Sequence, residues 1–435
     1  MNRSAEVYLW GTRIGIIYLR NGNSFLSFEY DKDFVRNVSG SGIEVSPIMM
    51  PVSGRVYEFP ELGDSFRGAP GLIADSLPDK FGNAVIRNWL ASIGKSETDF
   101  NVIDRLCYTG SRGMGALEYV PANGPEMKKS DTVDVSEMVK FASDVLNSRS
   151  EISLNSNNNV TYSQLLKLGT SAGGARAKAI VAWNESTGEV RSGQINAGDG
   201  FDYWIIKFDG VGKNGDHGIE DEPEYTLIEY AYYLMAKKAG INMMECRIFS
   251  ENGRNHFMTK RFDRVGSDKL HVQTLSALAH IDYNIPGLCS YELAAQYLKR
   301  IGVGNSGIEE FFRRMVFNVL SVNQDDHVKN ISAVMDRRGN WTLSPAYDLT
   351  FSYNLSNVWL KAHQMTIGGK GTGITLDDIT SCGKKMGLSA RKINTIISEV
   401  GNAVDGFGET AKSVGIRSTT IKTITSVIDK ARIMN

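Results

Sequence analysis

The chain predicts an α+β fold with three parts in order: a β-rich N-terminal subdomain, a lobe mixing strands with one long helix, and an all-helical C-terminal lobe. Three observations predict it. Short apolar runs separated by turn residues fill the first 120 positions. Between 160 and 262 the runs come in the order strand, strand, helix, strand, strand. Beyond 263, apolar residues recur mainly at helical spacing. The length of 435 residues suits roughly two or three domains.

Each element has its own signal. Val7 to Trp10 and Ile14 to Leu19 are the first apolar runs, and Asn21-Gly22 separates the second from Phe25 to Tyr30. Asn-Gly between such runs marks a hairpin, because both residues accept positive φ. A helix is predicted after Pro78 through Phe81, Val85 and Trp89, and a turn at Gly113 to Ala116 enters a last strand at Leu117 to Val120. Residues 1–120 form this first part. Residues 121–154 read as a polar linker holding one helix at 134–147. The second part, 155–262, opens on the Gly-rich segment Gly169 to Ala175 and carries strands at Ala179 to Trp183, Tyr203 to Lys207, Cys246 to Phe249 and His256 to Phe262. Its helix, 223–239, has Pro223 in the first turn and Gly240 at the end. The third part, 263–435, predicts helices at 308–320, 376–386, 389–404 and 418–433, interrupted by a polar hairpin region at 321–350.

Composition narrows the function classes. Hydrophobic residues at 42% and charged residues at 22% exclude a wholly disordered or fibrous chain. Lys and Arg number 48 against 49 Asp and Glu, so the basic excess of a protein that holds DNA by itself is missing. The four Cys, at 107, 246, 289 and 382, form no C-x-x-C pair, which signals neither a disulfide framework nor a zinc site and fits a reducing cytosol. The N-terminus lacks a signal-peptide core, and no run approaches the ~18 apolar residues of a membrane span. A cytoplasmic protein without a membrane partner is expected.

The densest chemistry lies at Asn323-Gln324-Asp325-Asp326-His327-Val328-Lys329-Asn330, directly after an apolar helix. Ile331 to Met335 and Trp341 to Leu343 then form a hairpin around Arg337 to Asn340, which brings Pro345-Ala346-Tyr347-Asp348 back beside Asn330. Protein kinases place a catalytic Asp five residues before a metal-binding Asn and take a further metal ligand from a downstream Asp. Asp325 and Asn330 have that spacing, with Asp348 as the downstream residue. Asp and Asn oxygens suit the hard cation Mg²⁺. A kinase also needs a strand Lys for phosphate paired with a helix Glu. Lys207 ends the best strand, and Glu229 lies on the next helix among Tyr225, Tyr232, Tyr233 and Ala236, an apolar setting that favours a paired carboxylate. A solvated loop, a surface Glu or a strand-edge Lys would explain each piece singly. The kinase order of the pieces along the chain favours the joint reading.

These residues resemble the HipA family of serine/threonine toxin kinases from bacterial toxin–antitoxin modules. Asn323 to Asn330 looks like the family's catalytic loop, Pro345 to Asp348 its metal-binding segment, Lys260-Arg261-Phe262-Asp263-Arg264 its adenine hinge, and Gly169 to Lys178 its phosphate loop. Gly71-Leu72, Asp75 to Asp79 and Gly113 to Leu117 resemble its N-terminal subdomain. The resemblance implies a bilobal protein-kinase-like fold related to phosphoinositide kinases, and ATP and Mg²⁺ as cofactors. It makes Asp325 the catalytic base, with Asp326 as its rival, and Asn330 and Asp348 the metal ligands. It gives nucleotide contacts to Gly173, Gly174, Ala175, Arg176, Ala177, Lys178, Lys207, Lys260, Arg261, Phe262, His327, Val328, Lys329, Asn330, Tyr347 and Asp348, and a structural ion pair to Glu229. Arg176-Ala177 stands where some members carry Gln-Glu. The resemblance further implies autophosphorylation at Ser171, with Thr170 as the rival site. It implies a helix-turn-helix antitoxin partner through which DNA is met, and a translation protein as substrate, in known cases an aminoacyl-tRNA synthetase.

Two other classes compete. Gly169-Thr170-Ser171-Ala172-Gly173 matches the G-x-S-x-G elbow of serine hydrolases, but a strand-like run rather than a helix follows it. A catalytically silent binding module of the same fold would lack Lys207, Asp325, Asn330 or Asp348, and all four are present. A metal hydrolase on Asp325, Asp326 and His327 would need further ligands from a chain with six His.

Overall fold

The structure is a computed structural model that describes residues 1–124, 134–147, 176–211, 224–266 and 268–433. Its contacts divide the chain into two compact units. The first comprises Met1–Gly42, Val52–Thr226 and Cys246–Val272; the second comprises Ile43–Pro51, Leu227–Glu245 and Gln273–Asn435. The first unit thus gathers both the β-rich stretch and the strands of the second predicted part, while the long helix goes largely with the C-terminal residues.

The first unit holds two five-stranded antiparallel sheets. One orders β4-β3-β2-β1-β5 from β1 (Ser4–Leu9), β2 (Thr12–Tyr18), β3 (Ser27–Tyr30), β4 (Val56–Tyr57) and β5 (Leu117–Val120). The Asn21-Gly22 signal does mark a β2–β3 connection, with Gly22 at φ +85. The β1–β2 hairpin is tight: Leu9 pairs with Thr12 across only Trp10-Gly11. Both turn residues have positive φ, +52 and +79, as a two-residue turn matching strand twist requires. Trp carries no propensity signal for that position.

The other sheet orders β7-β6-β8-β10-β9 from β6 (Lys178–Trp183), β7 (Val190–Ser192), β8 (Asp202–Lys207), β9 (Cys246–Glu251) and β10 (Arg254–Lys260). The helix predicted after Pro78 runs Lys80–Ser92 and starts where the Asp79 carboxylate accepts the Gly82 N–H at 2.6 Å, satisfying an orphan donor of the first turn. Phe81 and Val85 of this helix and Met138 and Val139 of the helix Val135–Asn147 share one core with Val181, Trp204, Ile206 and Met258 of the sheet. Trp204 is 1% exposed, and truncating such a residue costs about 3–5 kcal/mol. Three short strands, β11 (Arg264–Val265), β12 (Asp268–Lys269) and β13 (His271–Thr274), follow; at this length they leave no periodicity in the sequence.

The second unit is built on the helix Asn305–Leu320, whose Phe311, Phe312, Met315, Val316 and Phe317 are buried. The predicted later helices stand at Leu376–Lys385, Ala390–Asp405 and Ser418–Ile433. Gly383 is needed for close approach, since a Cβ there would lie 2.8 Å from Phe312 Cε2 and from Ile393 Cγ1. The region is not all-helical. The strands β14 (Ser332–Met335) and β15 (Trp341–Leu343) pair antiparallel with Ala333 opposite Leu343. Asp336 closes their turn by accepting the Arg338 and Asn340 N–H groups at 2.8 and 3.0 Å. This strand pair persists inside a helical unit because all four residues of β14 are buried.

Among the described residues no helix is long and apolar enough to cross a membrane. No disulfide forms, and all four Cys are buried.

Candidate active site

The helix Asn305–Leu320 delivers the chain to the polar loop, and Val322 turns it. Val322 is 2% exposed and has φ +57, an outlier for a β-branched residue that only surrounding structure can hold. Asn323 folds back on the helix end: its N–H donates to the Asn318 carbonyl at 2.9 Å and its side-chain amide to Asn318 Oδ1 at 3.0 Å.

Asp325 and Asp326, which the sequence leaves as rivals, have opposite environments. Asp326 is 3% exposed. Its Oδ2 accepts the Tyr291 hydroxyl at 2.7 Å and meets His363 Nδ1 at 2.9 Å, while its Oδ1 accepts the Gln364 N–H at 2.7 Å. Both oxygens are committed to the protein. Burial, and then the Asp326 charge, hold the Tyr291 phenol well above its ordinary pKa, so it stays a donor. The Asp325 side chain is 46% exposed, with His327 Nε2 at 3.7 Å from its Oδ1. Of the two carboxylates, Asp325 is the one that solvent or a substrate reaches.

Val328–Asn330 is a single 3-10 turn. The Asn330 amide nitrogen donates to the Asp325 carbonyl at 2.9 Å, so the amide oxygen is the end left for a cation. The hairpin returns as the sequence predicts. The Tyr347 hydroxyl donates to the Lys329 carbonyl at 2.9 Å and stands 2.6 Å from Ser332 Oγ, fixing the returning strand to the loop. Asp348 follows at φ +53, a left-handed conformation that Asp tolerates better than most residues. Asp325, Asn330 and Asp348 line one cleft, together with His327 and Tyr347. One amide and one carboxylate oxygen fit Mg²⁺, which takes one or two carboxylates and completes its shell from phosphates and water. Among the described residues no group of three or more His, Cys, Asp or Glu could hold a metal ion alone. Lys329 lies over the Tyr283 ring at 4.7 Å, and the His327 ring is 5.5 Å from that of Tyr283. Val328 is 2% exposed.

Among the described residues, those that line this cleft do not include the remaining predicted ones. Glu229 is 1% exposed in the helix Tyr225–Lys238. In the first unit, Lys207 ends β8 with its ammonium 5.8 Å from the Phe257 ring centroid. Lys178 is 4% exposed and its ammonium is 3.5 Å from Asp79 Oδ2. The Ala177 carbonyl accepts the Phe208 N–H at 3.1 Å, and Arg176 lies over the Tyr225 ring at 4.3 Å. Lys260 pairs with Asp202 at 2.7 Å, and Phe262, two residues further on, is half-buried. Gly173, Gly174, Ala175, Ser171 and Thr170 fall outside the described residues.

Arg261 serves the first unit's own architecture. Its guanidinium is buried and bonds Asp263 through Nε at 2.8 Å and Nη2 at 2.7 Å, and its N–H donates to the Tyr203 carbonyl at 2.8 Å. Asp263 also accepts from Arg264 at 2.6 Å and from the Gly115 N–H at 2.7 Å. Burial works to raise the Asp263 pKa, but the two guanidiniums outweigh it and hold the carboxyl well below its ordinary range. The network ties the Gly113–Gly115 turn to the segment after β10.

Sequence reasoning missed Tyr291, His363 and Gln364, the partners that immobilise Asp326. They lie 35, 37 and 38 residues from it, and their only sequence signal is that His363 is one of six His.

Comparison with known proteins adds the family context. Residues 170–407 match the model of the HipA-like C-terminal domain, and residues 5–120 that of the HipA N-terminal domain. A Haemophilus influenzae protein named "Putative kinase" is 29% identical over 165 residues, which cover 33% of this chain and 48% of that protein. A Sinorhizobium fredii protein named "Putative kinase Y4dM" is 34% identical over 92 residues, 21% of this chain and 22% of that protein. The chain thus spans 48% and 22% of these curated relatives. Among solved structures, the Shewanella oneidensis MR-1 toxin–antitoxin complex of HipA, HipB and operator DNA contains a chain that matches with TM-score 0.65 at 14% identity, over 99% of this chain and 96% of that one. At that identity the likeness is one of fold.

Proposed function

The chain belongs to the HipA family, and from that premise we propose that it is an ATP- and Mg²⁺-dependent protein serine/threonine kinase, the toxin of a toxin–antitoxin module. The observation that carries the reading is the convergence of Asp325, Asn330 and Asp348 on one cleft. Asp325, the exposed carboxylate, accepts a hydrogen bond from the acceptor hydroxyl and aims its oxygen at the γ-phosphorus. As the new P–O bond forms, the bond to the ADP oxygen breaks and the hydroxyl proton passes to Asp325. Mg²⁺, when bound, neutralises charge on the phosphoryl oxygens. The Asn330 amide oxygen and the Asp348 carboxylate would hold it, Asn330 oriented by its bond to the Asp325 carbonyl and Asp348 by its left-handed backbone.

The finer assignments follow from the family resemblance. Lys207, Lys178 and the loop residues Gly173 to Ala177 would meet phosphate, and Glu229 would pair with Lys207. Lys260 to Phe262 would border adenine through backbone groups, and Tyr347 would contact the nucleotide. Ser171 would be the autophosphorylated residue, its added charge of about −1.5 to −2 weakening ATP binding. The Shewanella oneidensis chain occurs with HipB and operator DNA, which supports a helix-turn-helix antitoxin partner that meets DNA on this chain's behalf. The substrate would be a protein of translation.

Expression of the wild type and of Asp325→Ala in bacterial cells tests the reading. Growth arrest with one dominant new phosphosite, both lost in Asp325→Ala, is the expected outcome. Arrest that survives the substitution would remove the kinase basis of toxicity.

A further inference from the structure

The loop that carries Asp325 is anchored by side chains on both sides of that residue. Before it, the Asn323 amide donates to Asn318 Oδ1 at 3.0 Å. After it, Asp326 Oδ2 accepts the Tyr291 hydroxyl at 2.7 Å. The two anchors are joined, because the Asn318 amide donates to the Tyr291 hydroxyl oxygen at 3.0 Å. Asn323, Asn318, Tyr291 and Asp326 thus form one chain of hydrogen bonds, and the main chain through Gln324 and Asp325 closes it into a ring. All four of these residues are buried.

The direction of the chain follows from its end. A carboxylate only accepts, so Tyr291 donates to Asp326. The Tyr291 oxygen is then left to accept from the Asn318 amide, and Asn318 Oδ1 to accept from Asn323. Every donor points toward the Asp326 charge, a head-to-tail order in which each bond polarises the next. The main chain is tied around the same residue. The Asn323 N–H donates to the Asn318 carbonyl at 2.9 Å and the Gln324 N–H to the Ser352 carbonyl at 3.0 Å. Asp326 Oδ1 accepts the Gln364 N–H at 2.7 Å. Asp325, its side chain 46% exposed, is the exposed member of an otherwise buried ring.

We propose that Tyr291 is a positioning residue for phosphoryl transfer: by closing this ring it sets the direction in which Asp325 presents its carboxylate. The inference rests on the kinase reading above. Tyr291 is buried and acts on the reaction only through Asp326 and Asn318. Misplacing a reacting group by about 1 Å costs on the order of 10²-fold in rate. Most of the nucleotide contacts proposed above lie on other segments, so opening the ring should slow turnover and leave ATP binding nearly as it was.

The test measures ADP release by the full-length chain from ATP and Mg²⁺, with Ser- and Thr-containing peptides of random flanking sequence as acceptors. Tyr291→Phe removes the hydroxyl and keeps the ring that packs on Phe311, centroids 5.6 Å apart. Asn323→Ala opens the same chain at its other end. Val400→Ala, in the buried face of the helix Ala390–Asp405, is a destabilised control outside the chain. The kcat of Tyr291→Phe and of Asn323→Ala should fall about tenfold or more, with the KM for ATP within about twofold of wild type. The double variant should be no more than about twofold slower than the slower single one, since one open bond already breaks the chain. Val400→Ala should unfold at a lower temperature and keep kcat within about twofold, because the loss expected of Tyr291→Phe is one of direction and not of stability. A kcat for Tyr291→Phe within about twofold of wild type, losses that multiply in the double variant, or an equal loss of kcat in Val400→Ala overturns the inference. If Tyr291→Phe does not fold, the kcat and KM of Asn323→Ala decide by the same criteria. No Mg²⁺-dependent ADP release by the wild type overturns the kinase reading, and the inference falls with it.

Discussion

Asn330 donates its side-chain amide to the main-chain carbonyl of Asp325 at 2.9 Å. One hydrogen bond thus links the proposed base to the proposed metal ligand and decides which end of the amide faces the cleft. Asn330→Ala removes both the cation oxygen and the brace. The Mg²⁺ concentration needed for half-maximal ATP consumption should rise at least about tenfold. A Mg²⁺ titration identical to wild type would contradict the assignment.

The two adjacent carboxylates should separate cleanly in a pair of variants. Asp325→Ala touches an exposed side chain, so its unfolding free energy should stay within about 0.5 kcal/mol of wild type while phosphate transfer is lost. Asp326→Ala leaves the Tyr291 hydroxyl, His363 Nδ1 and the Gln364 N–H without their buried acceptor. It should destabilise the protein by about 3–5 kcal/mol. Denaturant unfolding of the two variants measures both numbers, and equal stability would refute the division of roles.

Asp348 combines a metal-ligand role with a left-handed backbone at φ +53. Asn tolerates that conformation and a branched residue does not. Asp348→Asn should therefore fold normally and bind Mg²⁺–nucleotide poorly. Asp348→Val should lose about 1–3 kcal/mol of stability as well. Thermal unfolding alongside nucleotide titration separates strain from lost charge.

Asp263 carries a pH dependence of defined sign. Its folded pKa is depressed, burial being outweighed by Arg261 and Arg264. Its contribution to stability is fully present above the unfolded carboxyl pKa near ~3.9 and is lost as pH falls through the folded value. Unfolding free energy measured from pH 5 downward should drop more steeply for wild type than for Asp263→Asn. That variant should also be less stable at neutral pH, because it leaves two buried guanidiniums without their carboxylate. Parallel pH profiles would contradict the account.

The parts of the site legible in the sequence were those encoded locally. The Asp325–Asn330 spacing lies in one loop, and Arg337 to Asn340 announce the turn that returns Tyr347 and Asp348. Spacing to Asn330 favours Asp325 over Asp326, but the burial that separates the two carboxylates comes from Tyr291 and His363, and contacts between distant segments leave no periodic trace. The Trp10-Gly11 turn escaped because its positive φ is imposed by strand pairing rather than by residue preference. Helices with a clear apolar stripe, such as Asn305–Leu320, were legible within a few residues. The compact units were not, since Ile43–Pro51 and Leu227–Glu245 join residues far away in the chain.

The central claim is tested most directly by phosphate transfer from γ-labelled ATP with Mg²⁺, followed on Ser and Thr of the protein itself and of added protein acceptors. Wild type should transfer label only when Mg²⁺ is present, and Asp325→Asn should be slower by about 10²–10⁴-fold while remaining as stable as wild type. Transfer by Asp325→Asn at the wild-type rate, or no transfer by wild type with Mg²⁺ and ATP, would contradict the account.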